Sequence, residues 1–270
     1  MSESELFEKL LSEYSSEFRR VIRRGLEKSL SKKDPTMIYH FMSMISPETN
    51  IDLLYEFDYY YKIYRVSERI KLPKPLEISN RDVLEVIRSR RSRRRYSYKP
   101  IDLVKISTIL YHAVGVTGRA WWGGPKRVYP SAGALQPVEA YLVASRVEGI
   151  ENGLYHYNPG EHSLELLKKG SFNKLLREIS LDQDHVERAA ANIILTIVYR
   201  RTASKYGLRA YRYAHLDAGF AGQNIYLVAE ALDLATVAVG AFLDEELCNF
   251  LEIDCIEEFP VLIFPIGERS

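Results

Sequence analysis

Residues 192 to 199, Asn-Ile-Ile-Leu-Thr-Ile-Val-Tyr, form a nearly continuous apolar run rich in β-branched side chains. Such a run reads as a strand buried on both faces, whereas strict alternation would mark a sheet wetted on one side. A chain carrying it must cover both faces of a sheet, and helices are the elements at hand to do so. Residues 139 to 145, 236 to 239 and 261 to 264 read as further strands. Leu154-Tyr155-His156-Tyr157, Asn158-Pro159-Gly160 and Leu164-Glu165-Leu166-Leu167 read as a hairpin closed by an Asn-Pro-Gly turn. Helices are expected over 82 to 89, with Asn80 as cap, over 106 to 114, and over 217 to 232. In the last of these, Gly219 and Gly222 lie on adjacent turns of one side. Glycine weakens a helix interior by roughly 1 kcal/mol, so the pair asks for close approach by a partner helix or a cofactor.

Residues 1 to 80 differ from the remainder. Leu6, Leu10, Leu11, Tyr14, Phe18 and Val21 recur at helical spacing, and 52 to 64 is crowded with tyrosine and phenylalanine. Leu72-Pro73-Lys74-Pro75-Leu76 reads as an extended linker, because each proline pushes the residue before it out of helix. The expected organisation is therefore a helical, aromatic-rich segment over 1–80 and an α+β domain over 81–270. The net charge of +1 over 270 residues gives no global field for nucleic acid or an anionic membrane, so any basic site is local. No apolar run approaches the roughly 20 residues that span a bilayer, and the acidic N-terminus lacks a signal-peptide layout. A cytoplasmic protein is expected, with a lean toward thermophile composition in its scarce glutamine and plentiful Lys, Arg, Glu and Ile. In that compartment Cys248 and Cys255 are expected as separate reduced thiols, with pairing across the short loop as the alternative.

Two segments carry chemistry. Arg88, Arg90, Arg91, Arg93, Arg94 and Arg95 crowd into eight positions with Ser92 among them. Guanidinium forks and a hydroxyl suit phosphate oxygens, and an anion relieves the mutual repulsion. A solvated helix end or an RNA-binding arm is the alternative for the cluster alone. Further on, Pro130-Ser131-Ala132-Gly133-Ala134-Leu135-Gln136-Pro137 places small residues before an amide that both donates and accepts. Its backbone can approach a flat heterocycle closely. A phosphate site and a ring site together suggest flavin mononucleotide (FMN).

The order of pieces strengthens this. Arg-Arg-Ser-x-Arg is followed by Pro-Ser-Ala-Gly-x-x-Gln-Pro, then by a helix of the form Gly-x-x-x-Gln-Asn-x-x-Leu-x-Ala-x-Ala-Leu, then by Val-Gly-Ala-Phe-x-Asp and a strand ending Pro-Ile-Gly. Over about 84 to 267 the chain resembles the flavin-dependent nitroreductase-like family. Gly153-Leu154-Tyr155-His156-Tyr157, His162-Ser163-Leu164 and Lys205-Tyr206-Gly207-x-Arg209-x-Tyr211-Arg212-Tyr213 resemble the SagB-type dehydrogenases, which act as azoline oxidases on modified peptides.

The resemblance implies a mixed central sheet flanked by helices and an intertwined homodimer with FMN at the subunit interface. It implies Arg90, Ser92 and Arg94 on the phosphate, with help from Arg91 and from Arg269 in the tail. It implies Ser131, Gly133 and Gln136 at the isoalloxazine, and Gly240 and Ala241 near its N5 edge. Ala134 stands where the family often has asparagine, which removes one polar ring contact. The resemblance also makes Lys205 and Tyr206 a catalytic pair, with Arg201, Arg209 and Arg212 near enough in sequence to tune the lysine. Without it, Lys205 and Tyr206 read as a surface loop pair. It further implies a peptide substrate and a cyclase partner; a reductase of nitro compounds or quinones using NAD(P)H is the broader enzyme reading. A flavin-fold scaffold or a nucleic-acid binder is the non-enzyme one. Trp121 and Trp122, on a glycine-bearing loop, are expected to line the pocket. The histidines show no metal-ligand spacing.

Overall fold

The computed structural model describes residues 20, 36, 39–40, 43–45, 55–57, 59–79 and 81–270. The apolar positions of the expected opening helix, Leu6 to Phe18 and Val21, and the cap expected at Asn80 lie outside the described residues. Seven strands build the central sheet: β1 (Arg69–Lys71), β5 (Val138–Ala144), β7 (Gly153–Asn158), β8 (Ser163–Lys169), β9 (Ala191–Val198), β10 (Leu234–Thr236) and β11 (Glu258–Glu268). Their order is β1-β8-β7-β5-β9-β11-β10. All pairings within this sheet are antiparallel, with Leu142 opposite Ile193 and Phe264 also opposite Ile193 across β9. Parallel pairing, expected inside the sheet, occurs instead in a separate two-stranded ladder of β2 (Ile101–Asp102) and β6 (Val147–Glu148). A second small ladder joins β3 (Val116–Arg119) to β4 (Pro125–Arg127).

The run that opened the analysis is β9, and every one of its residues is buried. Alternate side chains enter two cores. Val138, Ala140 and Leu142 of β5 and Ile193, Leu195 and Ile197 of β9 face α2 (Leu103–Val114) and α6 (Ala210–Ala231). Tyr141, Val143 and Ile194 face α3 (Asn173–Ile179), α4 (Asp184–Arg188) and α7 (Asp244–Leu251). This period-two division is what a doubly covered sheet requires. Ala214, Ala218 and Ala221 line the sheet-facing side of α6, so its backbone approaches closely. At Gly222 a Cβ would stand 2.9 Å from the Phe264 ring, so that glycine serves helix-to-sheet contact within the chain. Gly219 has nothing within 4 Å of its would-be Cβ and lies on the exposed side.

Three boundaries differ from expectation. Helix α6 begins seven residues before Asp217, because the preceding α5 (Tyr199–Tyr206) runs into it through a single 3₁₀ turn, Gly207–Arg209. His215 therefore lies inside α6 and not ahead of it. Helix α1 (Val83–Ser89) is capped by Asp82, whose carboxylate accepts from the amides of Leu84 and Glu85. The third is the edge of the central sheet, which lies ahead of the extended Pro-Lys-Pro stretch. Strand β1 precedes it and forms the sheet edge against β8, and Leu72 is buried in the main core.

The cysteines correct the sequence expectation outright. Cys248 and Cys255 are disulfide-bonded, with Cα atoms 5.7 Å apart. The last turn of α7 and a left-handed Glu252 fold the chain back by the distance a disulfide spans.

Candidate functional site

Ser131 to Gln136 form a closed knot between β4 and β5. Ser131 Oγ donates to an Asp217 carboxylate oxygen at 2.6 Å and accepts from the Gln136 amide at 2.8 Å. The Ala132 amide donates to both Asp217 oxygens, at 3.3 and 3.2 Å. Gln136 Nε2 donates to the Pro125 carbonyl of β4, and Arg201 Nη1 donates to the Gln136 carbonyl at 3.0 Å. These ties hold three left-handed residues: Gly133 (φ 60°), Ala134 (φ 56°) and Gln136 (φ 54°). Left-handed backbone costs a side-chain-bearing residue roughly 1–2 kcal/mol, and such strain gathers at functional sites. Asp217 is only 3% exposed, in the middle of α6. Burial pushes its carboxyl up to about 6, against the opposing pull of the Ser131 and Ala132 hydrogen bonds.

Lys205 and Tyr206 come to this knot from 72 positions away in sequence. They sit on the last turn of α5, not in a loop, and Gly207 (φ 50°) ends that helix. A Cβ on Gly133 would lie 2.8 Å from Tyr206 Oη and 3.3 Å from Lys205 Nζ. The Lys205 ammonium rides 5.5 Å from the Tyr206 ring centroid, and Tyr206 meets Tyr213 edge-on. The three arginines expected to tune Lys205 are held elsewhere. Arg201 is buried against Glu139; Arg209 donates to the Ser43 carbonyl; Arg212 donates to the His40 carbonyl. The latter two tie Ser43 and His40 to the start of α6.

The arginine arm lies on the other side of α6. Ser92 Oγ and Tyr226 Oη are 3.0 Å apart, and the Arg90 guanidinium stacks 4.9 Å from the Tyr226 ring centroid. Arg91 donates back to the Arg88 and Arg90 carbonyls, and Arg94 is exposed. Arg93 pairs with Glu230. Arg269 neighbours the arm through a bridge to Tyr96, but its guanidinium is committed to Glu230 at 2.8 Å and Asp233 at 3.3 Å. Tyr226 Oη also accepts from the Ala238 amide at 2.7 Å, tying the arm to the segment leading to Gly240 and Ala241. Ala241 in turn accepts from Gln183 through its carbonyl.

Asp217 and Tyr226 are nine positions apart, which is about 13.5 Å along a helix and half a turn out of phase. The knot and the arm thus flank α6 on opposite sides. Between them runs an exposed stripe of Leu216, Gly219, Phe220 and Gln223, with Leu216 58% and Phe220 46% exposed.

Behind the knot is a buried polar strip that the sequence reading missed. His156 on β7 is fully buried between Glu165 (2.9 Å) and Glu139 (3.2 Å). Burial works against charge on His156, yet the two glutamates outweigh it and raise its pKa. Glu139 is likewise penalised by burial, but Arg201 and His156 hold it well below the usual carboxylate range. The amides of Lys62 and Tyr64 donate to Glu139 and Glu165 at 2.7 and 3.0 Å, so the N-terminal aromatic stretch is sewn to the sheet. Charged residues at inward strand positions were the available signal.

An open cleft of about 750 Å³ adjoins the knot, lined by Tyr59, Tyr60, Tyr61, Thr117, Arg119 and Pro125 among others. Pro125 belongs to both. Trp121, 93% exposed, and Trp122 project from the β3–β4 hairpin tip and do not line this cleft. Among the described residues no helix is long and apolar enough to cross a membrane.

The fold, a sheet covered on both faces by helices, is shared with solved nitroreductase-type structures. The chain belongs to the Nitroreductase family, whose model matches residues 87–268, and it is an oxidoreductase of that class with FMN as cofactor. A candidate nitroreductase of Methanocaldococcus jannaschii is 38% identical over 200 residues, covering 74% of this chain and 96% of that protein. The Microcin B17-processing protein McbC of Escherichia coli is 27% identical over 151 residues, 54% of this chain and 56% of McbC. The crystal structure of a candidate nitroreductase from Anabaena variabilis superimposes with a TM-score of 0.69 at 24% identity, over 87% of this chain and 47% of that one. The chain therefore spans about half the length of the last two.

Proposed function

We propose that this protein is an FMN-dependent dehydrogenase that oxidises a thiazoline or oxazoline ring in a modified peptide. One observation carries the reading: Lys205 and Tyr206, the pair that the SagB-type resemblance makes catalytic, meet the strained turn at Gly133. The residues present fit the cofactor. Gln136 Oε1 is buried with no hydrogen-bond partner among the described residues, an acceptor suited to a flavin N–H. The approach side of Gly133 carries no side chain of its own, and the exposed arginines of the arm offer phosphate-binding forks.

When bound, FMN would supply a two-electron acceptor for the hydride that leaves the ring. Lys205 would take the proton from the ring carbon, with Tyr206 beside it at the same turn. Together these remove one hydride and one proton, and the azoline becomes an azole. Ser131, Gly133 and Gln136 seat the ring; Arg90, Arg91, Ser92 and Arg94 hold the phosphate, with Arg269 behind the arm. Gly240 and Ala241 would help to hold the reactive edge of the ring.

Because knot and arm lie on opposite flanks of α6, a second copy seated on the Leu216–Phe220 stripe completes the site, the turn of one protomer facing the arm of its partner. Those exposed apolar side chains support a homodimer. The aromatic cleft beside the knot supports a peptide substrate, as does the processing role in the name of McbC. A cyclase partner is part of the same reading. Loss of azoline oxidation in Lys205→Ala, with flavin retention and reduction by NAD(P)H unchanged, is the expected result. If NAD(P)H-driven reduction of nitro compounds is lost in parallel, or azoline oxidation survives, the reductase reading takes its place.

A further inference from the structure

The least economical group in this molecule is Asp217. It is a carboxyl buried at mid-helix, and among the described residues no ion pair reaches it. An apolar residue would serve the core better, since an unpaired buried carboxylate is destabilising. Its two oxygens nevertheless receive two donors from where the turn begins: the Ser131 hydroxyl and the Ala132 amide. Ser131 relays the hold to the Gln136 amide, at the far end of the left-handed stretch. A carboxylate tied at one end of a strained turn, and through a hydroxyl to the other, works as a clamp.

We propose that Asp217 is the positioning residue of the cofactor site. Its carboxylate, through charge-assisted hydrogen bonds to Ser131 and Ala132, holds residues 133, 134 and 136 in left-handed backbone so that the turn is ready for the ring before the ring arrives. This rests on the FMN reading above. Charge-assisted bonds are roughly twice as strong as neutral ones, and the turn needs that strength because two of its left-handed residues carry side chains. The raised pKa agrees: the fold tolerates the charge at neutral pH although burial opposes it. Stability and function therefore pull apart at this position.

The test uses Asp217→Asn, which keeps one acceptor oxygen and the shape but removes the charge. Flavin-free full-length protein is titrated with FMN by fluorescence quenching, and thermal melting and amide exchange are followed without flavin. The variant is expected to melt at the wild-type temperature or above near pH 7.5, to exchange the Ala132 and Gln136 amides at least tenfold faster, and to bind FMN at least tenfold more weakly. Ser131→Ala is expected to reproduce the faster exchange at Gln136, and the double variant to be little worse than either single one. Exchange and FMN affinity both within twofold of wild type would overturn the proposal. So would a lower melting temperature with unaltered exchange, which would mark Asp217 as a packing residue. If wild-type protein binds no FMN, the cofactor reading fails, while the exchange measurement still decides the clamp.

Discussion

Removing Arg201 tests how the buried polar strip supports the site. Arg201 and Glu139 are each 1% exposed and in direct contact, and Arg201 also donates to the Gln136 carbonyl. Arg201→Met keeps much of the side-chain volume and removes the guanidinium. Glu139 retains the Lys62 amide and His156 but loses its strongest partner. Breaking a buried pair from one side costs about 3–5 kcal/mol. The pH dependence has a definite sign. Glu139 is held far below its ordinary 4.5, so its contribution is present above about pH 4.5 and lost as pH falls through the folded value. Without Arg201 that carboxyl is held down less, by His156 and the Lys62 amide. The deficit of the variant is therefore largest near pH 7 and narrows toward pH 4, because the variant's Glu139 takes up a proton at a higher pH than the wild type's. Urea unfolding of both proteins at one fixed protein concentration, at about pH 7 and about pH 4, measures it. A deficit under about 1 kcal/mol at neutral pH, or an equal deficit at both, refutes the assignment of Arg201 as the main partner of Glu139.

The other expectations are simpler. Cys248→Ser opens a disulfide loop of eight residues, a loss of about 2.5 kcal/mol by loop-closure entropy; reductant should lower the wild-type melting temperature to that of the variant and leave the variant unmoved. Gly133→Ala puts a methyl 2.8 Å from Tyr206 Oη on left-handed backbone, so a loss of roughly 1–2 kcal/mol and weaker FMN retention are expected, read by melting and flavin titration. Unchanged flavin affinity in that variant would remove the turn from the cofactor site.

What the sequence determined by itself was the set of local instructions. The apolar run of 192–199 required a doubly covered sheet, and β9 is buried along its length. The Asn-Pro-Gly hairpin, the strand expected at 139–145 and found at 138–144, and the helix expected over 106–114 and found over 103–114 follow from spacing and turn chemistry, which act between neighbours and can be read from neighbours. The small-residue turn and the arginine arm were visible as motifs for the same reason. What only the tertiary structure decided was who meets whom. Asp217 looked like a helix-start acid and is the anchor of a turn 86 positions away, because α6 begins earlier than its apolar pattern suggested. Arg201 looked like a charge for Lys205, four residues on, and instead points to Glu139 and Gln136. The inward glutamates and His156 carried no such reading, and burial between layers made them a shared network. The cysteines bond because a helix end turns them together. Propensity and periodicity are set within a few residues, whereas burial, pairing of charge and the strain a turn can bear are set by segments that become neighbours only once the sheet has closed under its helices.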